Sequence, residues 1–229
     1  MIKITAILQS LPVFQGIRKE TMQDLEAHAT IHSFCAKKVI IEERKPCDYL
    51  YIVLQGRVSV YKMNANGQKK VIFILGKGEL VNEDMVEGLP SAVSVELFEA
   101  GSLIMIPKCC MLRLMAQDPR LAAHMYTSLS MKARRMVRQL KNTPNSIKME
   151  KRLAAKLFKL GKDYGRPHAY GTEIAMDLSI TYLADLLGSQ RETISRAVKA
   201  LQAEGLVLLD KKRFYIPDMR NLSNYFKAP

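Results

Sequence analysis

The stretch of residues 178–206, LSITYLADLLGSQRETISRAVKALQAEGL, carries the clearest structural pattern of the chain. Apolar residues recur in it at helical spacing on both sides of Gly188, so it predicts two short amphipathic helices joined by a tight turn. Ser179 is placed to cap the first helix. The inward stripe of the second helix consists of Ile194, Val198 and Leu201. A pair of this kind, a helix-turn-helix, places its second helix in the major groove of DNA.

The outward face of the predicted second helix carries the residue types that recognise base edges, namely Arg191, Glu192, Ser195 and Arg196. Arginine donates two hydrogen bonds to guanine, glutamate accepts one from cytosine, and serine serves a base or a phosphate. We predict that these four side chains contact bases, because such contacts are made from the first turns of the helix. Ser179 and Lys199 flank them, and we expect both to contact the DNA backbone.

Two other interpretations of this hairpin remain open. It could be an ordinary pair of helices whose charged face is only solvated. Residues 189–192, SQRE, also fit a capping box, in which Glu192 bonds to the start of the helix instead of to a base.

The segment after the hairpin has the pattern of a wing. Residues 206–209, LVLL, and 213–216, RFYI, predict two strands around a charged turn. This order is that of a winged helix-turn-helix, and Lys211, Lys212 and Arg213 are then expected against the phosphate backbone. Residues 118–229 hold 21 Lys and Arg against 10 Asp and Glu, a net of +11, whereas residues 1–117 hold 14 against 12, a net of +2. We therefore expect double-stranded DNA as the partner of the C-terminal half.

The N-terminal half has the pattern of an antiparallel β domain. Short runs rich in β-branched residues occur at 38–41, 49–54, 58–61, 71–75, 93–95 and 103–106. Turn residues separate them, notably Gln55-Gly56 and residues 64–67, NANG. Strands at this spacing with no helix between them predict an antiparallel barrel or jelly roll.

A long helix is predicted after Asp118-Pro119. Its apolar positions alternate at steps of four and three, as in a coiled coil, at Ala122, Tyr126, Leu129, Ala133, Met136 and Leu140. We predict that this stripe forms a homodimer, since one helix-turn-helix reads only a few base pairs and two half-sites need a two-fold partner. The stripe would also suit a helix that packs only on its own barrel. Residues 142–145, NTPN, are predicted to be the hinge.

Four sequence motifs accompany this order of elements. They are residues 11–14, LPVF, with Gly16; 50–58, LYIVLQGRV; 78–80, GEL; and 191–196, RETISR. Over nearly the whole chain this pattern resembles the Crp/Fnr superfamily of bacterial transcription regulators. The resemblance implies an α+β fold with a cyclic-nucleotide-binding-like effector domain at 1–117, a dimerisation helix at 118–143 and a winged helix-turn-helix DNA-binding domain at 145–229. It also implies a homodimer. In that homodimer the barrel senses a small signal, and the DNA-binding domains reorient in response.

The resemblance extends to the residues that recognise DNA. Arg191, Glu192 and Arg196 match the three base-reading positions of the cyclic-AMP receptor branch, which implies a palindromic site with TGTGA-like half-sites. Ser195 is more like the Fnr branch, whose half-site is TTGAT. Residues 166–171, RPHAYG, lie where activating members touch RNA polymerase, which is therefore an expected partner.

The pattern departs from the family at the effector site. In the cyclic-AMP receptor branch an Arg-Ser-Ala segment follows Gly-Glu-Leu, and its arginine neutralises the cyclic phosphate. This chain has Pro90-Ser91-Ala92 instead, and proline supplies neither charge nor donor. We also expect an anion to be repelled by the acidic residues Glu79, Glu83, Asp84 and Glu87. The sequence therefore predicts a pocket that does not take cyclic AMP, formed by Gly78, Glu79, Leu80, Ser91 and Ala92.

Several other signals fit the sequence. The cysteines at 35, 47, 109 and 110 show no C-x-x-C spacing, so neither a zinc site nor an iron–sulfur cluster is indicated. Cys109-Cys110 could be a redox-sensing thiol pair or buried apolar filler. Haem could be held by a histidine, with candidates His28, His32, His124 and His168. A small organic molecule could occupy the barrel, or the protein could need no effector.

Neither catalysis nor membrane insertion is indicated. The sequence shows no nucleophile–base pair, metal-ligand cluster or phosphate-cradling glycine loop, so no enzyme is expected. Apolar runs fall short of the roughly 18 residues of a membrane span, and Gln9 and Pro12 interrupt any signal-peptide core. We expect a cytoplasmic protein. The competing function class is a cyclic-nucleotide-type sensory module that regulates a protein partner.

Overall fold

The structure, a computed structural model, describes residues 4–84, 88–140 and 147–228. The chain forms two compact units, one of residues 1–62 and 71–137 and one of residues 63–70 and 138–229. Within the described ranges, no helix is both long and apolar enough to cross a membrane.

The N-terminal unit has helices at its start and a set of strands after them. The helical segments are α1 (Ile4–Ser10), a 3₁₀ turn (Pro12–Phe14) and α2 (Lys19–His28). The strands are β1 (Thr30–Phe34), β2 (Val39–Ile41), β3 (Tyr49–Gln55), β4 (Val58–Met63), β5 (Lys69–Leu75), β6 (Ser94–Leu97) and β7 (Gly101–Pro107). They form two sheets, with strand orders β1-β7-β3 and β2-β6-β4-β5. The predicted jelly-roll-like fold is confirmed, and each of the six predicted runs overlaps an observed strand.

Strand β1 was not predicted from the sequence. Its residues, TIHSF, are exposed except for the half-buried Phe34, so they show no alternation of apolar and polar side chains. The strand forms because it pairs along its whole length with β7, where Ile31 lies opposite Ile104. Pairing with a neighbour that is distant in sequence leaves no local signal.

Two apolar clusters fill the N-terminal unit. One joins the helices to β3 and β7 and includes Phe14, Leu25, Ile52, Met111 and Leu121. The other lies among the strands and includes Val53, Val60, Phe73, Val95 and Leu97. Strand β7 contributes Ile104 and Ile106 to the first cluster and Leu103 to the second. This division follows from the two-residue period of a strand, which sends successive side chains to opposite faces.

Asp118 marks the start of the long helix. It separates α3 (Lys108–Gln117), which the sequence did not predict, from α4 (Pro119–Leu140), which it did. The buried Asp118 carboxylate accepts hydrogen bonds from the backbone N–H groups of Arg18 (2.8 Å) and Arg120 (3.0 Å) and from the Thr21 hydroxyl (2.9 Å). Burial by itself would raise the pKa of Asp118, but these hydrogen bonds outweigh it and lower that pKa. An ionised side chain therefore fixes the N-terminus of α4, where negative charge is favourable.

The C-terminal unit is mainly helical. Its helices are α5 (Met149–Tyr164), α6 (Ile180–Leu187), α7 (Arg191–Ala203) and α8 (Met219–Lys227). Its strands are β8 (Gly165–His168), β9 (Gly171–Ile174), β10 (Leu208–Asp210) and β11 (Arg213–Ile216), in the order β10-β11-β9-β8. Helices α5 and α8 pack together, with the Phe158 and Phe226 rings 5.5 Å apart. The predicted winged helix-turn-helix is confirmed.

Three details of the sequence analysis concern this unit. Residues 166–171, where a contact with RNA polymerase was expected, form a tight hairpin, because β8 and β9 pair up to His168 and Gly171. The first wing strand begins at Leu208, two residues later than predicted. Gly205, at φ 68°, and the hydrogen bond from Leu206 N to Leu201 O end α7 and delay the strand. The predicted hinge at 142–145 lies outside the described residues.

Candidate nucleic-acid interface

Helix α6 has the boundaries that its sequence predicted. Ser179 is the N-cap, and its hydroxyl accepts a hydrogen bond of 3.0 Å from the Tyr182 backbone N–H. Gly188 ends the helix in the left-handed conformation, at φ 61° and ψ 51°, which glycine adopts without a Cβ penalty. The buried face of α6 consists of Leu183, Ala184, Leu186 and Leu187. These features fix the position at which the second helix of the pair begins.

Helix α7 separates its apolar and charged residues by face. The buried face consists of Ile194, Ala197, Val198 and Leu201. Arg191, Glu192 and Arg196 are exposed, and Ser195 between them is half-buried. Because residues three and four apart share a helix face, these four side chains lie together on the first two turns of α7. The structure therefore brings all four predicted base-reading residues to one surface.

The capping-box interpretation does not match the start of α7. The N-cap is Gln190 rather than Ser189, and the Gln190 side chain makes no capping hydrogen bond. Glu192 is the second residue of the helix and its side chain is exposed. The Glu192 carboxylate still lies at the positive end of the helix dipole, which keeps its charge favourable there.

The wing brings two lysines to the surface beside the helix pair. Lys211 and Lys212 form the turn between β10 and β11, and both are exposed, as is Lys199 on α7. Lys211 has φ 55°, a conformation that non-glycine residues adopt mainly in tight turns. The Lys212 carbonyl accepts a hydrogen bond of 2.8 Å from the backbone N–H of Leu178, just before α6. This bond ties the wing to the helix-turn-helix.

Arg213 differs from these lysines because its guanidinium is paired inside the unit. Its Nε lies 2.8 Å from the Asp177 carboxylate, and one terminal nitrogen lies 3.3 Å from Glu173. Glu173 lies on β9 and Asp177 in the segment that leads to α6. The pairs hold β11 against these two segments, so Arg213 contributes to the rigidity of the wing.

Arg152 is a residue of this surface that the sequence analysis missed. It lies on α5, and one of its terminal nitrogens donates a hydrogen bond of 3.0 Å to the Leu187 carbonyl at the end of α6. A cation at a helix C-terminus is favourable, and here it joins the supporting helix to the helix-turn-helix. The sequence does not indicate this contact, because Arg152 and Leu187 are 35 residues apart and come together only when α5 packs near α6.

The outward face of α4 carries the predicted heptad stripe. Tyr126 is 73% exposed, Leu129 43% and Met136 47%, and Ala133 is exposed too. The Leu140 side chain is not among those that the structure describes. A different stripe packs on the helix's own domain, with the same steps of four and three, and consists of Leu121, Met125, Ser128, Lys132 and Arg135. The predicted stripe is therefore not the face of α4 that packs against the barrel.

A cleft of about 270 Å³ lies between α4 and the turn at Gly78. Its lining includes Gly78, Glu79 and Leu80, as the predicted pocket does, together with Pro12, Val13 and a face of α4. The described lining does not include Ser91 and Ala92. Ser91 is held elsewhere, because its backbone bonds to Arg44 and Lys45 and its hydroxyl donates a hydrogen bond of 2.6 Å to the Val93 carbonyl. The cleft therefore includes three of the five residues predicted for the effector pocket, and that pocket stays a prediction.

The acidic residues beside this cleft are neutralised, contrary to the expectation from the sequence. Glu79 is 2.7 Å from a guanidinium nitrogen of Arg135 and accepts a hydrogen bond from the Gly76 backbone N–H. Glu83 is 2% exposed, pairs with Lys132 and accepts a hydrogen bond of 2.6 Å from the Ser128 hydroxyl. Both cations come from α4. Glu79 and Glu83 therefore do not present free negative charge, and Glu87 lies outside the described residues.

The histidines and cysteines named as sensor candidates lie in different environments. His32 is exposed on β1, and His124 on α4 lies 2.8 Å from the Val13 carbonyl. His168 packs on the Tyr215 ring at 4.7 Å. Cys109 is exposed at the start of α3, whereas its neighbour Cys110 is buried and lies close to His28 and Asp24. The two adjacent cysteines are therefore not a single buried unit.

Comparison with known families agrees with this arrangement. Residues 31–118 match the cyclic nucleotide-binding domain family, and residues 151–225 match the Crp-like helix-turn-helix domain family. The first match covers most of the β-rich unit and the second covers α5 to α8.

Related proteins are similar over most of the chain. A CRP-like cAMP-activated global transcriptional regulator of Mycobacterium tuberculosis is 23% identical over 220 residues, which are 95% of this chain and 97% of that protein. The cyclic AMP receptor protein of Thermus thermophilus is 27% identical over 212 residues, 88% of this chain and 90% of that protein. The solved structure of FixK2 from Bradyrhizobium japonicum has the same fold, with a TM-score of 0.75, 20% identity, and coverage of 86% of this chain and 96% of that chain.

Proposed function

Because the chain belongs to the Crp/Fnr superfamily of DNA-binding transcription regulators, we propose that it binds a palindromic DNA site as a homodimer and responds to a signal other than cyclic AMP. In this proposal residues 1–117 are the effector domain, residues 118–143 are the dimerisation helix and residues 145–229 are the DNA-binding domain. The role is regulatory rather than catalytic, it is exercised in the cytoplasm, and RNA polymerase is the protein partner.

The observation that carries the proposal is the exposure of Arg191, Glu192 and Arg196 on the first two turns of α7, opposite a buried apolar face. A recognition helix must direct its first turns at base edges, and the buried face decides which side chains those are. Two guanidinium groups select guanines, and the carboxylate selects a cytosine of the complementary strand. The half-site is therefore TGTGA-like or, if Ser195 acts as in the Fnr branch, TTGAT-like.

The backbone contacts come from the edges of this surface. Lys199, Lys211 and Lys212 are exposed cations on α7 and the wing, suited to phosphates on either side of the groove. Ser179 still has a hydroxyl proton to donate while it caps α6. Arg213 is the weakest of the predicted phosphate contacts, because two carboxylates already hold its guanidinium.

The homodimer is proposed to form through the outward stripe of α4. Apolar side chains that are exposed in one chain at heptad spacing become buried when a second copy of the helix packs against them. The charged residues that bind the barrel, Lys132 and Arg135, lie on another face and do not compete with this packing. A homodimer formed through α4 supplies two copies of α7, one for each half-site.

A signal other than cyclic AMP is favoured by the charges around the turn at Gly78. A cyclic phosphate needs a cation, and Pro90 supplies none. Lys132 and Arg135 of α4 are already paired with the chain's own carboxylates. The cleft beside them offers apolar surface from Pro12, Val13, Leu80 and Met131, which suits a small organic molecule better than a nucleotide.

A gel-shift assay with a TGTGA-N6-TCACA duplex tests DNA recognition and symmetry together. We expect tighter binding to it than to a scrambled duplex, and a dimer in sedimentation. A duplex with five more spacer base pairs is the control, because it turns one half-site by about half a helical turn and should lose the preference. A chain that is monomeric throughout and indifferent to sequence contradicts the proposal.

The signal is tested separately in the same assay. Adding cyclic AMP should leave the affinity for the preferred duplex unchanged, because the cations Lys132 and Arg135 that line the described cleft are already paired with carboxylates. An increase in affinity on adding cyclic AMP would overturn the proposed signal class and leave the DNA site intact.

A further inference from the structure

Three metal-ligating side chains meet on the N-terminal unit, at a place that the proposed function does not use. Asp24 and His28 lie one helical turn apart on α2, and Cys110 lies in the first turn of α3. One ligand atom of each, a carboxylate oxygen, an imidazole nitrogen and the thiol sulfur, lies within 4.8 Å of the other two. The groups come from two helices that are far apart in the sequence, so the spacing of cysteines did not indicate the site.

The distances between the ligand atoms are close to those around a small ion with tetrahedral coordination. Nδ1 of His28 is 2.9 Å from Oδ1 of Asp24, and Sγ of Cys110 is 4.0 Å from the same oxygen. Ligand atoms around tetrahedral zinc lie about 3.3–3.8 Å apart, given its bond lengths to nitrogen, oxygen and sulfur. The separations of 2.9 Å and 4.0 Å lie within about half an ångström of this range, and the third separation is no longer than 4.8 Å, so coordination requires movement of the side chains. The spacing of four residues between Asp24 and His28 places both ligands on one helix face.

Arg113 currently supplies the positive charge of this cluster. It lies one turn after Cys110, and its terminal nitrogens are 2.5 Å and 2.9 Å from the two oxygens of Asp24 and 3.8 Å from the Cys110 sulfur. The Asp24 carboxylate therefore already holds one cation, the Arg113 guanidinium, through both of its oxygens. The Arg113 side chain is 46% exposed, so it can turn into water at little cost.

Cys110 supplies the ligand that decides the kind of metal. The Cys110 side chain is buried. Metal binding releases the thiol proton, and it also requires Nδ1 of His28 to give up its hydrogen bond of 2.9 Å with the Asp24 backbone carbonyl, so that the imidazole proton lies on Nε2. A thiolate with an imidazole and one carboxylate selects zinc-like ions over magnesium or calcium, which prefer oxygen alone.

We propose that Asp24, His28 and Cys110 form a binding site for a thiophilic divalent cation of the zinc type, with Arg113 as the counterion that the metal displaces. Three protein ligands leave the fourth tetrahedral position to water. The site joins α2 to α3 within the N-terminal unit and does not depend on DNA binding.

Cobalt is the probe for the site, because thiolate-bound Co²⁺ absorbs in the near ultraviolet. We expect the reduced full-length chain to develop this absorption with one Co²⁺ per chain and to lose it when Zn²⁺ is added. Cys110→Ser should abolish the absorption, whereas Cys109→Ser, at the exposed neighbouring position, should retain it. The proposal is overturned if Cys109→Ser is the variant that loses the band, or if neither variant changes it.

Substitution of Arg113 provides a second test, because displacement of Arg113 by a metal and a purely structural role predict different effects on Co²⁺ binding. Arg113→Ala removes a competing cation and should tighten Co²⁺ binding by about tenfold. The matched variant Arg120→Ala, whose guanidinium bonds to the Gly16 carbonyl, should leave the affinity unchanged. His28→Gln should weaken binding by more than about tenfold. Weaker or unchanged binding in Arg113→Ala contradicts the proposed exchange of arginine for metal.

Discussion

The turn that begins at Gly78 and helix α7 both carry dense charge, and the fold uses that charge in opposite ways. In the turn, Glu79 pairs with Arg135 and Glu83 pairs with Lys132, and both cations come from α4. On α7 the charged side chains of the first two turns remain exposed. Charge in a sequence therefore indicates a binding face only where the fold does not neutralise it.

The physical basis of this difference is burial. Glu83 is almost fully buried, and an ionised carboxylate is stable there only with a partner and hydrogen bonds. The charges of α7 stay in water, where they cost little and are available to a polyanion. Four substitutions test this contrast between the paired charges of the turn and the exposed charges of the DNA-binding surface.

The largest effect is expected from Lys132→Ala. The substitution leaves the buried Glu83 with the Ser128 hydroxyl as its remaining partner among the described residues, and we expect the free energy of unfolding to fall by about 3–5 kcal/mol. Urea denaturation followed by circular dichroism measures it. Lys199→Ala on α7 is the matched control and should change stability by less than about 0.5 kcal/mol. Equal losses in the two variants would remove the contrast between the regions.

Arg196→Ala should affect DNA recognition instead of stability. We expect it to lose about 1–3 kcal/mol of discrimination between the preferred duplex and one with a half-site guanine replaced. Competition gel shifts measure the ratio, and denaturation should show an unchanged midpoint. If the variant discriminates as well as the parent, the face assigned to base reading is wrong.

Lys211→Ala should weaken binding to every sequence alike. Loss of one phosphate contact lowers affinity by about 1 kcal/mol at moderate salt and flattens the dependence of log K on log salt by about 0.9. Titrations at several salt concentrations provide the slope. An effect confined to the preferred duplex would indicate a base contact rather than a phosphate contact.

The smallest effect is expected from Arg135→Ala. Its pair with Glu79 is about one-third exposed on both sides, so solvent screens it, and the guanidinium also lies 5.1 Å from the Phe73 ring centroid. We expect a loss of less than about 1 kcal/mol of stability and no change in sequence discrimination. A larger loss than in Lys132→Ala would reverse the order of the two pairs.

Local signals in the sequence account for the parts of the fold that were predicted. The Ser179 cap, the left-handed Gly188 and the apolar stripe of α7 each depend on residues within a few positions of one another. Helix α5 also has such a signal in Leu153, Leu157 and Leu160, although it was not among the predicted elements. Strand β1 has none, because its side chains are exposed and its pairing partner is distant.

Local sequence is enough to set where the helix-turn-helix begins and ends and which of its side chains face outward, because capping, glycine geometry and helical periodicity act over a few residues. In contrast, the pairing of Glu83 with Lys132 of α4, 49 residues away, and of Asp24 with Arg113, 89 residues away, arises only when the elements pack together. Such pairings depend on how separate elements pack, and the energy of a charge depends on the burial that this packing produces.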